Sequence, residues 1–538
     1  MPRLADHTVQ FGVFVALFAV ATVLGFTAAG WRRPDTPPDL EQWGLGGRAF
    51  GNWVTWFLVG GDVYTAYTFV AVPALVYAAG AYGYFAVPFA VVTYPLIYLP
   101  LSRLWSVAHT HGFITPAELV RARFGSRGLG AAVALAGITA TMPYIAVQLI
   151  GLRSVLTVLG LPGGWPLTAA FAVLAVFTFR SGLRAPALIS ILKDVLILWT
   201  VLAAVVAIAM TAGGIRHVFH LVSAARPGAL LLSPDAQLGY VTLVLGSALG
   251  LLPYPHVMTG FLAARNRLTV KRNLAALPVY TLMLGIVALL GYVALAAGVR
   301  PVGGDPNTVV PALFDVMFPA WCAGLAFAAI GIGALVPAAI MSIAAANLFT
   351  RGIYRPYLRP HASAAEETTV SRLASLSAKL GAVVVIVALN PRFAIDLQLI
   401  GGVVILQTLP ALAIGLYTSW AHRYALGAGL LAGLGCGLAM LYQIPQPGPG
   451  GRAHFGGSAW PLAHLGLHTH AAVYAGLVAL AVNAVVVFAG TVLLRGLRVP
   501  AGVDLTVDAD FEADEADGID RLVQLVDGTL GRRPAHLR

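Results

Sequence analysis

The 538 residues are 59% hydrophobic and only 10% charged, with a formal net charge of +11 at pH 7. Soluble globular domains carry about a quarter charged residues, so this composition excludes that class and indicates that lipid is the solvent for most of the chain. The basic residues fall in short clusters between apolar segments, which is typical of membrane topology and not of a nucleic-acid binder. Cys322 and Cys436 both lie within apolar runs, so neither a disulfide framework nor a cysteine-rich metal site is expected.

Apolar stretches long enough to cross a bilayer follow one another along most of the chain. A transmembrane helix needs about 20 mainly apolar residues, and by that rule the sequence predicts an all-α polytopic membrane protein with about thirteen spans. The first stretch has no small-residue cleavage signature after it, so we expect a helix and not a signal peptide. The predicted spans are 10–31, 52–79, 83–104, 129–158, 165–182, 187–212, 239–263, 274–299, 319–350, 373–390, 396–419, 424–443 and 471–495.

The basic clusters predict how the chain is oriented. They follow the first, third, seventh, ninth and last spans, which all end on one side if thirteen spans alternate, and cytoplasmic loops are the ones enriched in Lys and Arg. We therefore expect a plasma-membrane protein, in a bacterium an inner-membrane protein, with its N-terminus outside and its C-terminus in the cytoplasm. The clusters are Arg32, Arg33 and Arg48; Arg103, Arg121, Arg123 and Arg127; Arg265, Arg267, Lys271 and Arg272; Arg351, Arg355 and Arg359; and Arg495 and Arg498.

Two predicted spans are interrupted near their middles. The second contains Gly60, Gly61 and Asp62, and the seventh contains Pro253 and Pro255, which remove backbone donors. Gly and Pro are also common in membrane helices that merely kink. Two breaks five spans apart favour a transporter core instead, in which spans 2–6 and 7–11 are inverted repeats that each begin with a discontinuous helix.

The predicted spans and repeats together divide the chain into five parts, of which the last is an acidic tail. The parts are an N-terminal helix and loop (1–51), a first repeat (52–212), a second repeat (213–419), accessory helices (420–500) and a cytoplasmic tail (501–538). We expect the tail to be solvated, with a docking helix near residues 519–526 as the alternative. The Pro/Gly-rich segment 443–470 holds four histidines, for which solvation is favoured over metal binding.

Asp62 is the most informative single residue of the sequence. A carboxylate at the bilayer centre costs at least ~2.5 kcal/mol on insertion scales, so Asp62 should face a cavity or a partner. Lys193 and Asp194 are predicted near the cytoplasmic end of the sixth span, where the lysine could reach the interface by snorkelling.

Several short motifs, taken in order and spacing, resemble the sodium:solute symporter family and within it the monocarboxylate uptake permeases. The resemblance runs from about residue 44 to residue 418 and implies a leucine-transporter-type fold of thirteen helices, with a 5+5 inverted-repeat core. It also implies a secondary transporter and not an enzyme, with no cofactor. The motifs are at 46–57, 60–62, 71–74, 115–118, 123–126, 181–184, 255–257 and 349–354.

The resemblance also implies where a coupling ion would bind. In sodium-coupled members the ion lies between backbone carbonyls near residues 60–63 and two adjacent hydroxyl side chains on the ninth span. Aligning on 349–355 puts Ala346 and Asn347 at the hydroxyl positions, and Ser190 near the place of the usual aspartate. Because a hard cation prefers several oxygen ligands, this sodium site is expected to be degenerate, with no other metal site, which leaves H⁺ or Na⁺ as the coupling ion.

The favoured function is ion-driven uptake of short monocarboxylates such as lactate, pyruvate, acetate or propionate. The substrate carboxylate would face the N-terminal end of a half-helix, where N–H groups are unpaired and the helix dipole is positive. Hydrogen bonds would come from Tyr64, Thr65 and Tyr254. Asp62 would carry a coupling proton or help to organise the ion path, and His256 would be structural at the kink. The full candidate site is Gly60, Gly61, Asp62, Val63, Tyr64, Thr65, Ser190, Tyr254, Pro255, His256, Ala346 and Asn347.

Two other functions remain open at this point. The first is a sodium-coupled symporter of another small solute, such as an amino acid, and the second is a transporter-like sensor. A membrane-embedded enzyme is disfavoured, because no paired base and nucleophile lie near a membrane face. The expected partners are a small organic acid and the lipid bilayer, with no nucleic acid and no obligate protein partner.

Overall fold

The computed structural model describes residues 4–31, 39–161, 164–211, 213–389, 392–446 and 453–513, and almost all of its regular structure is helical. Two short strands, β1 (Ala459–Pro461) and β2 (Ala472–Tyr474), pair antiparallel. The helices are α1 (Thr8–Thr27), α2 (Leu40–Gly44), α3 (Asn52–Thr55), α4 (Val72–Ala79), α5 (Ala86–His111), α6 (Pro116–Phe124), α7 (Arg127–Val158), α8 (Gly164–Ser181), α9 (Arg184–Thr211), α10 (Ile215–Ala225), α11 (Pro234–Leu251), α12 (Pro255–Leu262), α13 (Arg267–Thr281), α14 (Met283–Ala296), α15 (Val309–Met317), α16 (Ala320–Leu348), α17 (Ala364–Leu389), α18 (Ala394–Ile405), α19 (Leu409–Tyr417), α20 (Arg423–Tyr442) and α21 (Ala475–Gly496).

The predicted all-α membrane class is confirmed, although the number of spans depends on how breaks are treated. In the described part of the chain, eleven helices can cross a membrane by length and composition, or twelve if α11 and α12 form one bent span. One of the eleven, Tyr67–His111, has 45 residues. As a straight helix it would be about 68 Å long, more than twice the hydrocarbon core. Gly80 interrupts it with φ 63° and ψ −134°, so it joins the end of the predicted second span to the third.

Helix α16 forms the centre of the bundle. Its apolar window is completely buried inside the protein, and it packs against α1, α7, α9, α12 and α17. The accessory helices α20 and α21 pack on each other at the periphery and reach the core through α18. Large apolar side chains are exposed on the outer helices, for example Leu202, Val387 and Phe488, where lipid is the expected neighbour.

Both predicted breaks are present. In the first, α3 continues as a π-helical turn (Trp56–Gly60), residues 61–65 are not helical, and a second π-helical turn (Tyr67–Ala71) leads into α4. In the second, α11 and α12 are separated by residues 252–254 and differ by 43° in direction. Pro255 stands at the start of α12, a position where the missing N–H of proline removes no helical hydrogen bond.

The expectation of a solvated tail is wrong for the part of the tail that the structure describes. Residues 502–513, here named the C-terminal strap, pack against the ends of α5 and α6. Phe511 is fully buried, with the guanidinium groups of Arg103 and Arg123 at 5.3 Å and 4.8 Å from its ring centre. Asp510 Oδ2 lies 2.8 Å from His111 Nε2. The helix predicted at 519–526 lies outside the described residues.

Candidate functional site

The two breaks lie side by side and share a small cavity. Its volume is about 40 Å³, which is room for about three water molecules. The first broken span, α5, α7, α14 and the second broken span all contribute to the wall, so both repeats form the site. The lining residues are Val59, Asp62, Val63, Tyr67, Phe89, Ala90, Tyr94, Tyr144, Leu251, His256, Val257 and Leu284.

Asp62 and His256 meet in this cavity, one from each broken span. Asp62 Oδ2 lies 3.4 Å from His256 Nε2, and both side chains are buried. The imidazole ring is flanked by Tyr144 and Tyr254, with ring centres 5.3 Å and 5.2 Å away. Among the described residues, Asp62 Oδ1 and His256 Nδ1 have no hydrogen-bond partner. Buried polar atoms of this kind are normally satisfied, so the pair has hydrogen-bonding capacity left for a ligand or a proton.

The second half of the first broken span starts with its N–H groups already capped. Thr65 Oγ1 accepts from Tyr67 N at 3.0 Å, and Gln148 Oε1 accepts from Ala66 N at 3.2 Å. Thr65 therefore stabilises the break and is not part of the cavity lining. Gln148 was missed by the sequence reasoning, although a buried amide in the middle of an apolar span was its signal.

The start of α12 is different, because no side chain in the described part of the chain caps its first N–H groups. Tyr254 provides no side-chain cap, and the first N–H of α12 with an intrahelical acceptor is that of Met258, which donates to Tyr254 O at 3.3 Å. The preceding N–H groups of His256 and Val257 belong to residues that line the cavity. The positive end of α12 therefore faces the cavity, an arrangement that suits an anion.

Both tyrosines expected to bind substrate form hydrogen bonds elsewhere. Tyr64 Oη donates to Tyr280 O at 2.5 Å, and Tyr254 Oη donates to Gln398 O at 3.2 Å. Neither residue lines the cavity, which takes its hydroxyl groups from other tyrosines instead. Tyr67 is the clearest of these, since its Oη has no partner in the described part of the chain.

The structure does not bring Ala346 and Asn347 to the break. On α16, Gly333 lies beside the break, and a Cβ added there would lie 3.8 Å from Tyr64 O. Ala346 is thirteen residues further along α16, about 20 Å away. Asn347 Nδ2 instead donates to Gly44 O at 3.4 Å. The alignment chosen from the sequence was therefore displaced. Helix α16 has no Ser or Thr from Ala320 to Met341, and the buried Ser342 that follows donates to Ala339 O at 2.9 Å.

Helix α9 contributes a charged pair that the sequence reasoning misplaced. Lys193 and Asp194 are fully buried, and Lys193 Nζ lies 3.1 Å from Asp194 Oδ1. The ammonium donates to Gly61 O and, at 3.3 Å, to Tyr64 O. Lys193 thus points into the break and does not snorkel. Ser190, one turn earlier, donates to Ala187 O of its own helix at 2.8 Å.

Comparison with known proteins identifies the family. Residues 43–433 match the sequence model of the sodium:solute symporter family. A protein of Rhizobium johnstonii named monocarboxylate transport permease protein is 50% identical over 435 residues, which are 80% of this chain and 88% of that protein. The chain belongs to the sodium:solute symporter family. The resemblance expected from the motifs is confirmed, and the chain is a multi-pass membrane transporter.

The fold of this symporter is also confirmed by a solved structure. The substrate-bound, outward-open state of a Na⁺-coupled sialic acid symporter superposes with a TM-score of 0.70 at 15% identity, covering 93% of this chain and 99% of that one. The leucine-transporter-type inverted-repeat core is therefore present. The sodium/pantothenate symporter of Escherichia coli is 26% identical over 451 residues, 78% of this chain and 88% of that protein. Related symporters carry different solutes, so the family alone does not define the substrate.

Proposed function

We propose that the protein takes up short monocarboxylates such as lactate, pyruvate, acetate or propionate, each together with a proton. The observation that carries the proposal is the meeting of Asp62 and His256 at 3.4 Å, across the two breaks, in a cavity that also receives the start of α12. The name of the Rhizobium johnstonii relative, 50% identical, supports the same class of substrate.

The size of the cavity supports a small substrate. A volume of about 40 Å³ suits a molecule of a few heavy atoms, and it would have to enlarge considerably for a solute as long as pantothenate. Most of the wall is apolar or aromatic, and the charged or ionisable pair Asp62 and His256 lies near the start of α12, with tyrosine hydroxyls as the other polar side-chain groups. A short acid with one charged end and an apolar tail matches this distribution.

The charges that would meet in the cavity support coupling of substrate transport to a proton. A substrate carboxylate at the start of α12 lies beside Asp62, and two ionised carboxylates in one desolvated cavity repel each other strongly. Loading the substrate anion is therefore favoured when the Asp62–His256 pair holds a proton. Because ligands that share a site affect each other's binding reciprocally, the substrate and the proton would be carried together.

Sodium-coupled transport of another solute is the second candidate. It is supported by relatives such as the sodium/pantothenate symporter of Escherichia coli and by the Na⁺-coupled sialic acid symporter whose fold is similar. Against it stands the stretch of α16 from Ala320 to Met341, which includes Gly333 beside the break and contains no Ser or Thr. We therefore expect uptake to persist when sodium is replaced.

Proteoliposomes test both candidates. An inside-alkaline pH gradient in choline buffer should drive accumulation of labelled lactate above that of protein-free liposomes, which correct for diffusion of the neutral acid. Uptake that disappears on replacing sodium at a fixed pH gradient contradicts proton coupling. Transport of proline or pantothenate in place of any monocarboxylate contradicts the proposed substrate class.

The expected orientation is tested separately. The strap lies on the same side as the basic ends of α5 and α13, since Arg267 Nη1 donates to Glu512 O at 2.6 Å. We propose that this side is the cytoplasm and that the N-terminus is outside, as the basic loops suggest. A cysteine placed at the exposed Ala5 should react with an impermeant reagent on intact cells, while one at the exposed Val507 should not. If the cysteine at position 507 is labelled before the cysteine at position 5, this orientation is contradicted.

A further inference from the structure

A buried ammonium group stands at the first break, outside the cavity described above. Lys193 and Asp194 have no exposed surface. Lys193 Nζ donates hydrogen bonds to Gly61 O and, at 3.3 Å, to Tyr64 O, and it forms an ion pair with Asp194 Oδ1 at 3.1 Å. A buried lysine needs a partner for its charge, and here Asp194 provides that charge while two backbone carbonyls accept hydrogen bonds from the ammonium.

The acceptors belong to the kind of site that binds a small cation. Gly61 and Tyr64 lie in the unwound segment directly after the first half-helix. At such a helix end the carbonyl oxygens have no helical N–H partners and the helix dipole is negative. In discontinuous membrane helices such carbonyls are the groups that coordinate monovalent ions. Asp194 adds a formal negative charge at the same place. The site therefore has three oxygen atoms arranged around one positive group.

The Lys193–Asp194 pair fills the space in which a side chain at position 61 would otherwise lie. A Cβ added at Gly61 would lie 2.6 Å from Lys193 Nζ and 2.8 Å from Asp194 Oδ1, so only glycine fits there. On the neighbouring helix α16, Gly333 approaches Tyr64 O and offers no side-chain oxygen. The lysine thus takes the space beside the carbonyls that a free ion and its ligands would need.

We propose that the Lys193 ammonium is a tethered cation that occupies the ion position of the first break, so that this symporter needs no sodium to hold the break together. The inference deepens the proposed function and rests on it for the identity of the cargo. The occupancy of the ion position can be measured without any substrate. Removing the ammonium should leave Asp194 and two carbonyls as an oxygen site for sodium.

The test is the thermal stability of the purified protein in sodium chloride and in choline chloride at equal ionic strength. The wild type should have the same Tm in both salts. Lys193→Ala should have a lower Tm in choline, and sodium should raise it in a saturable way, by at least about 3 °C. Lys379→Ala is the matched control, because Lys379 is also a buried lysine but donates to Ser375 Oγ at 2.8 Å on α17, and its variant should not respond to sodium.

Two results overturn the proposal. One is a sodium-dependent Tm in the wild type, and the other is a folded Lys193→Ala protein that does not respond to sodium. If Lys193→Ala does not fold, Lys193→Gln keeps the side-chain length without the charge and should show the same response. If neither variant folds, the wild-type measurements decide. Failure of the proposed function looks different, since the wild type would then carry no monocarboxylate while the sodium response of the variants remained.

Discussion

Replacing Asp62 with asparagine keeps the shape of the side chain and removes the group that can exchange a proton. The amide can still contact His256 Nε2, which is 3.4 Å from Asp62 Oδ2, so the fold loses at most one long hydrogen bond, worth about 1 kcal/mol. Insertion gains in return, because an aspartate at the bilayer centre costs at least ~2.5 kcal/mol. We therefore expect normal expression and a Tm close to that of the wild type.

Transport should change far more than stability. If one proton accompanies each anion, a pH difference of one unit drives accumulation up to about tenfold, since one pH unit is equivalent to 1.36 kcal/mol. Asp62→Asn should only equilibrate its substrate, to a ratio of about one. The assay is lactate accumulation in proteoliposomes at several imposed pH gradients.

A second Asp–His pair provides the matched control for this variant. Asp315 Oδ2 lies 3.5 Å from His7 Nε2, away from the cavity. Asp315→Asn should therefore accumulate lactate like the wild type. A folded Asp62→Asn protein with wild-type accumulation and wild-type pH dependence would refute the reasoning, and Asp62 would then be only a structural hydrogen-bonding group.

Three further predictions concern the cavity, the break and the strap. Tyr67→Phe should raise the KM for monocarboxylate about fivefold to tenfold, because Tyr67 Oη has no partner in the described part of the chain, whereas Tyr254→Phe should change KM less than twofold. Gly61→Ala should abolish uptake and lower the Tm, because its Cβ would lie 2.3 Å from a backbone oxygen, while Gly427→Ala, whose Cβ meets nothing within 4 Å, should have neither effect. Phe511→Ala should weaken strap attachment by about 3 kcal/mol, seen as faster limited proteolysis of the C-terminus at unchanged Tm of the bundle.

Both breaks could be predicted from the sequence because their residues contradict the apolar runs around them. A glycine pair with an aspartate, and two prolines separated by one residue, each favour irregular backbone in the middle of a span. At membrane depth such backbone is tolerated only where it lines a cavity or is buried in protein. The cost of burying Asp62 then indicated a cavity or a partner. His256 was expected only to be structural at the kink, so its contact with Asp62 was not predicted.

Lys193 shows why the rest could not be predicted. The sequence placed the start of the span at 187, whereas α9 begins at Arg184, which puts Lys193 about 14 Å into the helix and near mid-membrane depth. Its acceptors at Gly61 and Tyr64 are backbone carbonyls, which have no sequence signature. The placement of Ala346 and Asn347 at the break was wrong for another reason. The run of small residues on α16 allows a sequence alignment to shift by several helical turns.

The charges of the core also limit how transport can be coupled. If Lys193 is bound permanently beside Asp194, that pair is neutral and moves no charge across the membrane. The proton on the Asp62–His256 pair then balances the charge of the monocarboxylate, so one anion with one proton should be carried without net charge. A membrane potential of 100 mV is worth about 2.3 kcal/mol per net charge, or roughly 50-fold in accumulation. We therefore expect that a potassium diffusion potential imposed with valinomycin, at equal pH on both sides, drives no lactate accumulation. Potential-driven accumulation of that size that also requires sodium would show that a mobile sodium ion joins the proton, which contradicts a permanently occupied ion position.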